Sequence, residues 1–186
     1  METTLAKKLW TEEELLSLPD NGNKYELING ELSMVPTGIE HEDIGATLLA
    51  ALKRHVSEHK LGIVCGSSAG YWMKSGNLRS PDVSFISKAR LKGHKRPPKG
   101  FFRGSPDLAV EILSPSDTVE NLHGKIVEYF ENDTTLAWII NPEEQVVMVY
   151  HSPRPDKILA GNDTLQGEEV LRGFTFPVAE LFADIS

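Results

Sequence analysis

The sequence predicts a mixed α/β sandwich whose central sheet is flanked by helices. Two segments carry apolar residues three or four positions apart, a spacing typical of amphipathic helices that pack on a sheet. Short apolar runs bounded by turn residues lie between and after these segments and predict strands. The resulting core order of helix, strand, strand, strand, helix and strand indicates a layered α/β domain.

The N-terminal region is predicted to form a short helix and a β-hairpin. Thr11 and Glu14 have the spacing of a capping box, so a helix is expected to begin there. The alternating segment YELINGELSMVP is centred on Asn29 and Gly30, the preferred residues of a two-residue hairpin turn.

The first core helix is predicted from about residue 41 to residue 60, and Gly62 is expected to end it. Three strands follow in the prediction. IVCGSSAGYWM is typical of a strand interrupted by glycines, DVSFIS opens a short strand at Asp82, and the third strand runs from Asp107 to Leu113. The apolar positions of the helix are Ile44, Leu48, Leu52 and Val56.

The second core helix is expected to begin at Ser116 or Asp117, with Glu120 placed to complete a capping box, and to run to about Asn132. Two strands, LAWIIN and QVVMVYHS, follow around a turn at residues 142–144. The remaining residues suggest one or two further strands and a short helix near residues 178–182.

The composition limits the classes of protein to which the chain can belong. The chain has 186 residues, 40% of them apolar and 25% charged, so we expect one soluble domain over residues 1–186. Within it we expect an N-terminal extension at 1–40, a core at 41–141 and C-terminal strands with a short helix at 142–186. The longest apolar runs have five residues, which favours a cytoplasmic protein without a membrane segment. The single cysteine, Cys65, excludes an internal disulfide and is expected to be buried and structural.

Charge is distributed unevenly. The net charge of −8 argues against a protein that coats nucleic acid through bulk electrostatics. Residues 88–104 nevertheless carry seven basic and no acidic side chains, so the rest of the chain carries −15. This basic segment is either a solvated insertion or a surface that contacts phosphate backbones. Its basic residues are Lys88, Arg90, Lys92, Lys95, Arg96, Lys99 and Arg103.

Two carboxylates on neighbouring predicted strands indicate a metal site. Glu111 lies inside an apolar run, where an unpaired charge is costly to bury, and Asp82 opens the preceding core strand. If the strands are neighbours, both side chains can point into one cleft, and a cation between them would offset their repulsion. Magnesium suits such a pair, and the backbone carbonyl of Ile112 is a candidate further ligand.

Lys125 is the candidate positive group near an attacking water. It lies on the second core helix beside the apolar positions Leu122, Ile126 and Tyr129, so it borders the face that packs on the sheet. Two alternatives are open: the side chain points into the cleft, or it extends past the apolar stripe to solvent.

Several segments together resemble the Uma-type family of restriction endonucleases, formerly a domain of unknown function. They are RSPDVSFIS, PDLAVEILSPSD, HGKIVEYFEN followed by LAWIINP, and YELINGEL with the early His41. The resemblance covers nearly the whole chain and implies the restriction-endonuclease-like fold of the PD-(D/E)xK superfamily, with a mixed sheet flanked by helices, an N-terminal hairpin and extra C-terminal strands.

The resemblance also implies site residues. The superfamily's Asp falls on Asp82 and its Glu on Glu111, but Leu113 stands where the lysine of the E-x-K element belongs, and Lys125 is the position that would replace it. His41 or the adjacent Glu42 is a secondary candidate, the alternative for His41 being a helix-capping or surface residue. An exposed strand carboxylate explains Glu26 and Glu31, and core packing explains Tyr129.

The function expected from these residues is hydrolysis of DNA phosphodiester bonds with Mg²⁺ or Mn²⁺ bound by Asp82 and Glu111. The alternative is a nuclease-like binding or assembly module with little or no catalysis, which the missing E-x-K lysine favours. A homodimer is expected, because nucleases that cut both strands often act as symmetric dimers. No G-x-S-x-G or H-E-x-x-H motif supports a serine hydrolase or a zinc enzyme.

Overall fold

The computed structural model describes residues 10–18, 24–35, 38–93 and 96–183. Its first elements are α1 (Glu12–Leu16), β1 (Lys24–Ile28) and β2 (Glu31–Val35). The capping box is confirmed, because the Thr11 hydroxyl accepts the Glu14 N–H at 3.2 Å and the Glu14 carboxylate accepts the Thr11 N–H at 2.9 Å. The hairpin is also confirmed. Asn29 and Gly30 have φ values of 51° and 82°, the left-handed pair that a tight hairpin turn requires.

The long helix α2 (Ile39–His59) ends differently from the prediction. Lys60, with a left-handed φ of 54°, is its C-cap, so the expectation that Gly62 ends the helix is wrong. Gly62 instead opens β3 (Gly62–Gly66), where a Cβ would collide with the Ile86 carbonyl of the neighbouring strand. Glycine is needed at this position for the close approach of two backbones.

The other core elements follow in the predicted order. The N-cap of the second core helix is Thr118 rather than Ser116 or Asp117, because the Thr118 hydroxyl accepts the Asn121 N–H. Asp117 instead accepts the N–H and O–H of Ser114, both at 2.8 Å. The elements are β4 (Tyr71–Trp72), β5 (Leu78–Arg79), β6 (Val83–Ser87), β7 (Phe102–Arg103), β8 (Leu108–Ile112), α3 (Val119–Glu131), β9 (Leu136–Asn141), β10 (Val146–Tyr150), β11 (Pro155–Ala160), β12 (Thr164–Gln166), β13 (Thr175–Pro177) and a 3-10 helix (Val178–Leu181).

A six-stranded mixed sheet forms the centre of the molecule, in the order β11-β10-β9-β8-β6-β3. The strands β8 and β9 are parallel, and the other neighbours are antiparallel. A second sheet has the order β2-β1-β5-β4-β7. In this sheet the N-terminal hairpin of β1 and β2 pairs with β5. The last two strands, β12 and β13, form a separate antiparallel pair.

Helices cover both faces of the central sheet. Leu48 of α2 packs in one core cluster with Val110 and Trp138, whereas Ile126 of α3 packs with Ile139 on the opposite face. The predicted α/β sandwich is therefore confirmed. The free thiol of Cys65 is half-buried on β3 rather than fully buried, and burial raises its pKa. Among the described residues, no helix combines the length and the apolar character needed to cross a bilayer.

Candidate active site

A cavity of about 460 Å³ opens beside the junction of β6 and β8. Residues from six elements and from the loops before β6 and before α3 line it, so it depends on the tertiary fold rather than on one sequence motif. The charged or titratable residues among them are Lys24 and Glu26 of β1, His41 of α2, Arg79 of β5, Asp82 before β6, Glu111 of β8, Glu120 and Lys125 of α3, and Asp117 before α3.

Asp82 is held at the edge of this cavity by three donors. Its backbone N–H pairs with β8, and its Oδ2 accepts the N–H of Ile112 at 2.8 Å. The ammonium of Lys24 donates to Oδ1 at 2.8 Å, and Nε2 of His41 lies 3.2 Å from Oδ2. Burial opposes the charge of Asp82, but His41 and Lys24 outweigh it and hold its pKa well below the usual range. Asp82 is therefore an ionised, oriented carboxylate at neutral pH.

Glu111 is the penultimate residue of β8, and its side chain is turned toward α3. Because residues alternate along a strand, Glu111 is on the opposite face from Val110. The Tyr129 hydroxyl donates to Oε1 at 2.5 Å, and the Lys125 ammonium donates to Oε2 at 3.1 Å. Burial raises the pKa of Glu111, against the charges of Lys125 and Lys24, which lower it. Glu111 is thus a buried carboxylate that a further cation would help to keep ionised.

Lys125 points into the cavity and not into solvent, which decides between the two predicted orientations. Its side chain is 17% exposed, and its ammonium lies 3.1 Å from Glu111 and 3.6 Å from Oε2 of Glu26. Burial lowers the pKa of Lys125, but the two carboxylates outweigh burial and raise it. The ammonium is therefore charged, and two carboxylates fix its position.

His41 is a buried part of the cavity wall rather than a cap or a surface residue. The N-cap of α2 is Gly38, and the His41 side chain is 10% exposed. Burial lowers the pKa of His41, but the carboxylate of Asp82 outweighs burial and raises it. In the described part of the chain, Nδ1 has no hydrogen-bond partner. Glu42, the alternative to His41, has a side chain that is 57% exposed.

Two cavity residues on β1, Lys24 and Glu26, were not predicted from the sequence. The expectation that Glu26 is an exposed strand carboxylate is wrong, because its side chain is 13% exposed and accepts the Ser80 N–H at 3.0 Å. Glu31, at the start of β2, is exposed as expected. Alternate residues of a strand share one face, and the alternate residues Lys24, Glu26 and Ile28 of β1 all line the cavity. This alternation was the sequence signal for Lys24 and Glu26.

A closed network beside the cavity anchors α3 to β5. Glu128 of α3 accepts hydrogen bonds from Ser75 and Arg79 at 2.5 Å each and from Asn77 at 2.8 Å. The Asn77 side chain also accepts the N–H of Asn29 in the hairpin turn at 2.8 Å. These bonds hold the hairpin, and with it Lys24 and Glu26, against α3.

The basic segment lies apart from the cavity lining. None of its described residues lines the cavity, and Lys95 lies outside the described residues. Arg103 donates to Glu12 and stacks 5.1 Å from the centre of the Trp72 ring, while Arg90 lies 5.4 Å from the Phe102 ring centre. The other described basic residues are exposed: Lys88, Lys92, Arg96 and Lys99.

The donor set of the cavity fits Mg²⁺ or Mn²⁺. Asp82 and Glu111 supply hard oxygen ligands, and Oδ1 of Asp82 and both oxygens of Glu111 each accept one hydrogen bond, which leaves a lone pair on each of them. Within the described ranges, no three His, Cys, Asp or Glu side chains form a group able to hold a metal by themselves. Magnesium is usually held by one or two carboxylates with water and phosphate oxygens, so the pair is sufficient. With His41 neutral, the lining has a formal excess of two negative charges, which favours a divalent cation.

The mixed sheet with a helix on each face is an α/β sandwich. A family model described as "Uma2: Putative restriction endonuclease" matches residues 12–179. The chain therefore belongs to the Uma2 family, as its motifs predicted. This membership supports a nuclease at the level of general class.

A solved structure with the same fold comes from Anabaena variabilis and is described as "a putative nuclease belonging to DUF820". It is 22% identical in sequence, and the match covers 93% of this chain and 97% of that chain with a TM-score of 0.75. At this identity the likeness shows the fold. No curated protein matches the chain significantly in sequence.

Proposed function

We propose that this protein is a magnesium-dependent endonuclease that hydrolyses DNA phosphodiester bonds in the cavity. The observation that carries the proposal is the meeting of Asp82, Glu111 and Lys125, from three separate segments of the chain, on one cavity. Family membership supports the general class, and the chemistry of the two carboxylates supports the metal.

Asp82 and Glu111 would hold Mg²⁺ or Mn²⁺, and the backbone carbonyl of Ile112 is a further candidate ligand. The bound ion would supply Lewis-acid stabilisation of charge on the phosphate and would acidify an attacking water. The residues of the chain keep the two carboxylates in place: the Ile112 N–H and His41 orient Asp82, and Tyr129 orients Glu111. His41 thereby has a positioning role.

Lys125 would orient the attacking water and stabilise the negative charge that develops on the phosphate oxygens. Its ammonium is held by Glu111 and Glu26, so its position is set before substrate binds. A preorganised charge of this kind costs little reorganisation during the reaction. Lys125 would take the place of the E-x-K lysine, whose position is occupied by Leu113.

The basic segment would bind the phosphate backbone outside the cavity and supply affinity without sequence choice. Lys88, Lys92, Arg96 and Lys99 are the stronger candidates, because Arg90 is half-buried and Arg103, although exposed, pairs with Glu12 and stacks on Trp72. The residues proposed for this surface are Lys88, Arg90, Lys92, Lys95, Arg96, Lys99 and Arg103.

Cleavage of plasmid and single-stranded DNA with Mg²⁺ or Mn²⁺ tests the proposal. We expect Asp82→Asn, Glu111→Gln and Lys125→Met each to reduce the rate by about 10³-fold, since each removes charge stabilisation in the transition state. The exposed α2 residues Glu58 and Lys53 offer matched controls, Glu58→Gln and Lys53→Met, that retain activity. Cleavage that survives all three cavity substitutions removes these residues from the mechanism.

A second function, a nuclease-like binding module, is favoured by Leu113 at the E-x-K position. This function predicts that the wild-type protein binds DNA and releases it uncut with either metal. A homodimer is also proposed, as for nucleases that cut both strands. Light scattering at micromolar concentration tests the dimer, and a monomer contradicts it.

A further inference from the structure

We infer that Lys24 is a substrate-binding residue of the cavity, which pairs with Asp82 in the free protein and with a phosphate oxygen of DNA when the metal is bound. This inference rests on the proposed function. It assigns separate tasks to the two lysines of the cavity, Lys24 and Lys125.

The position of Lys24 is the first observation. Its side chain is 14% exposed, and its ammonium lies in the cavity wall, 2.8 Å from Oδ1 of Asp82. The hairpin strand β1 carries it, and the network through Asn77 and Glu128 holds that hairpin against α3. A buried ammonium is costly unless its contacts are ionic, and among the described residues the hydrogen-bond partner of the Lys24 ammonium is the Asp82 carboxylate.

The two lysines differ in the number of carboxylates that contact them directly. Burial lowers the pKa of Lys24, but the charges of Glu111, Asp82 and Glu26 outweigh burial and raise it, although Glu111 and Glu26 act from beyond contact distance. Lys125 contacts Glu111 at 3.1 Å and Glu26 at 3.6 Å. In the described part of the chain, Asp82 is the one carboxylate within ion-pair distance of Lys24. When Asp82 and Glu111 both hold a divalent cation, Lys125 therefore retains Glu26, while Lys24 loses its partner to the cation.

A cation at Asp82 repels the Lys24 ammonium and takes the carboxylate oxygen that the ammonium contacts, so the ammonium needs another acceptor. A phosphodiester supplies acceptor oxygens that carry negative charge, and a lysine ammonium binds phosphate as a point charge. Metal binding thus frees the Lys24 ammonium to contact the substrate, so metal and DNA bind cooperatively.

Competition between Lys24 and the metal gives a test that is independent of cleavage. Isothermal titration with Mn²⁺ without DNA compares wild type with Lys24→Met. Removing the competing ammonium is expected to tighten Mn²⁺ binding by about fivefold to tenfold. Lys24→Arg keeps the charge and is expected to bind Mn²⁺ as wild type does. Circular dichroism establishes that both variants fold, and Lys53→Met on the exposed face of α2 is the matched control.

Substrate binding supplies the second readout. With saturating Mn²⁺, the affinity of Lys24→Met for a short DNA duplex is expected to fall by about tenfold, while Lys24→Arg retains most of it. In the cleavage assay the loss is expected in KM rather than in kcat, the opposite of Lys125→Met. Unchanged or weaker Mn²⁺ binding by Lys24→Met overturns the inference, as does a loss confined to kcat. If wild type cuts no DNA, the proposed function fails, and the Mn²⁺ and duplex titrations still decide the role of Lys24.

Discussion

Glu111 and Glu128 are two buried carboxylates in neighbouring regions, and they differ in what surrounds them. Their exposed fractions are 5% and 8%. Glu128 accepts hydrogen bonds from three donors in a closed network and does not line the cavity. Glu111 accepts two hydrogen bonds and faces the cavity. Burial and ion pairing therefore do not distinguish a carboxylate that stabilises the fold from one that could bind a ligand. The two differ because Glu111 adjoins the cavity, where a ligand has room.

The largest expected effect in this comparison is on stability. Glu128→Ala leaves the buried Arg79 guanidinium without its closest partner, so we expect the free energy of unfolding to fall by about 3–5 kcal/mol. Glu111→Gln keeps the shape of the side chain and removes a charge that burial opposes, so we expect a loss of less than about 1 kcal/mol. Urea denaturation followed by circular dichroism measures both. Equal losses for the two variants contradict the comparison.

The Tyr129 hydroxyl, which donates to Glu111, allows one hydrogen bond of this carboxylate to be tested by itself. Tyr129→Phe deletes the buried donor to Glu111, and we expect a loss of about 2 kcal/mol in unfolding free energy, as for hydrogen bonds to charged groups. Tyr150→Phe is the matched control, because the hydrogen-bond partner of its hydroxyl among the described residues is the sulfur of Met148, at 3.9 Å. For this control we expect about 0.5 kcal/mol or less. The same denaturation experiment measures both, and equal losses count against a special role for Tyr129.

A smaller effect is expected for charges outside the cavity. Changing Arg96 and Lys99 together to Gln is expected to weaken DNA binding by about fivefold and to lower the salt slope by about 0.9 for each phosphate that the variant no longer neutralises. Fluorescence anisotropy over a series of salt concentrations measures both quantities. Lys53 and Arg54, exposed on α2, provide a matched double substitution. An unchanged slope in the Arg96 and Lys99 variant shows that the basic segment does not bind phosphates.

The smallest effect is expected at an exposed ion-pair cluster formed by His151 after β10, Asp156 of β11 and Glu168 after β12. Burial lowers the pKa of His151, but Asp156 and Glu168 outweigh burial and raise it. The charged histidine therefore stabilises the fold below its unfolded pKa of about 6.5, and the contribution is lost as pH rises through its folded pKa. NMR titration is expected to show the His151 pKa above 6.5 in wild type and lower in Glu168→Gln. An identical pKa in both contradicts the pairing.

Much of the fold follows from local signals in the sequence. The capping box at Thr11, the Asn29-Gly30 turn and the four-residue spacing in α2 each specify an element through contacts between close neighbours. The wrong predictions of helix ends fall where several neighbouring residues could have capped the helix. Thr118 rather than Ser116 caps α3, because several hydroxyl and carboxylate residues precede that helix and local pattern does not rank them.

The cavity was predictable only in part, because it is assembled from distant segments. The apolar run around Glu111 indicated that this carboxylate is buried. The short strand DVSFIS indicated that Asp82 lies at the start of a core strand. Lys24 and Glu26 were missed because a hairpin has two faces and its sequence does not say which face meets α3. That choice depends on the Asn77 and Glu128 contacts, which join positions about fifty residues apart.

Crystals soaked with Mn²⁺ test the central claim most directly, since anomalous scattering identifies the ion and its ligands. We expect one peak in wild type that both Asp82 and Glu111 ligate, with the Lys24 ammonium moved away from Oδ1 of Asp82. Glu111→Gln crystals soaked in the same way are expected to show no peak there. Wild-type crystals at high Mn²⁺ concentration that show no peak, with the Lys24–Asp82 and Lys125–Glu111 pairs intact, contradict a metal site in this cavity.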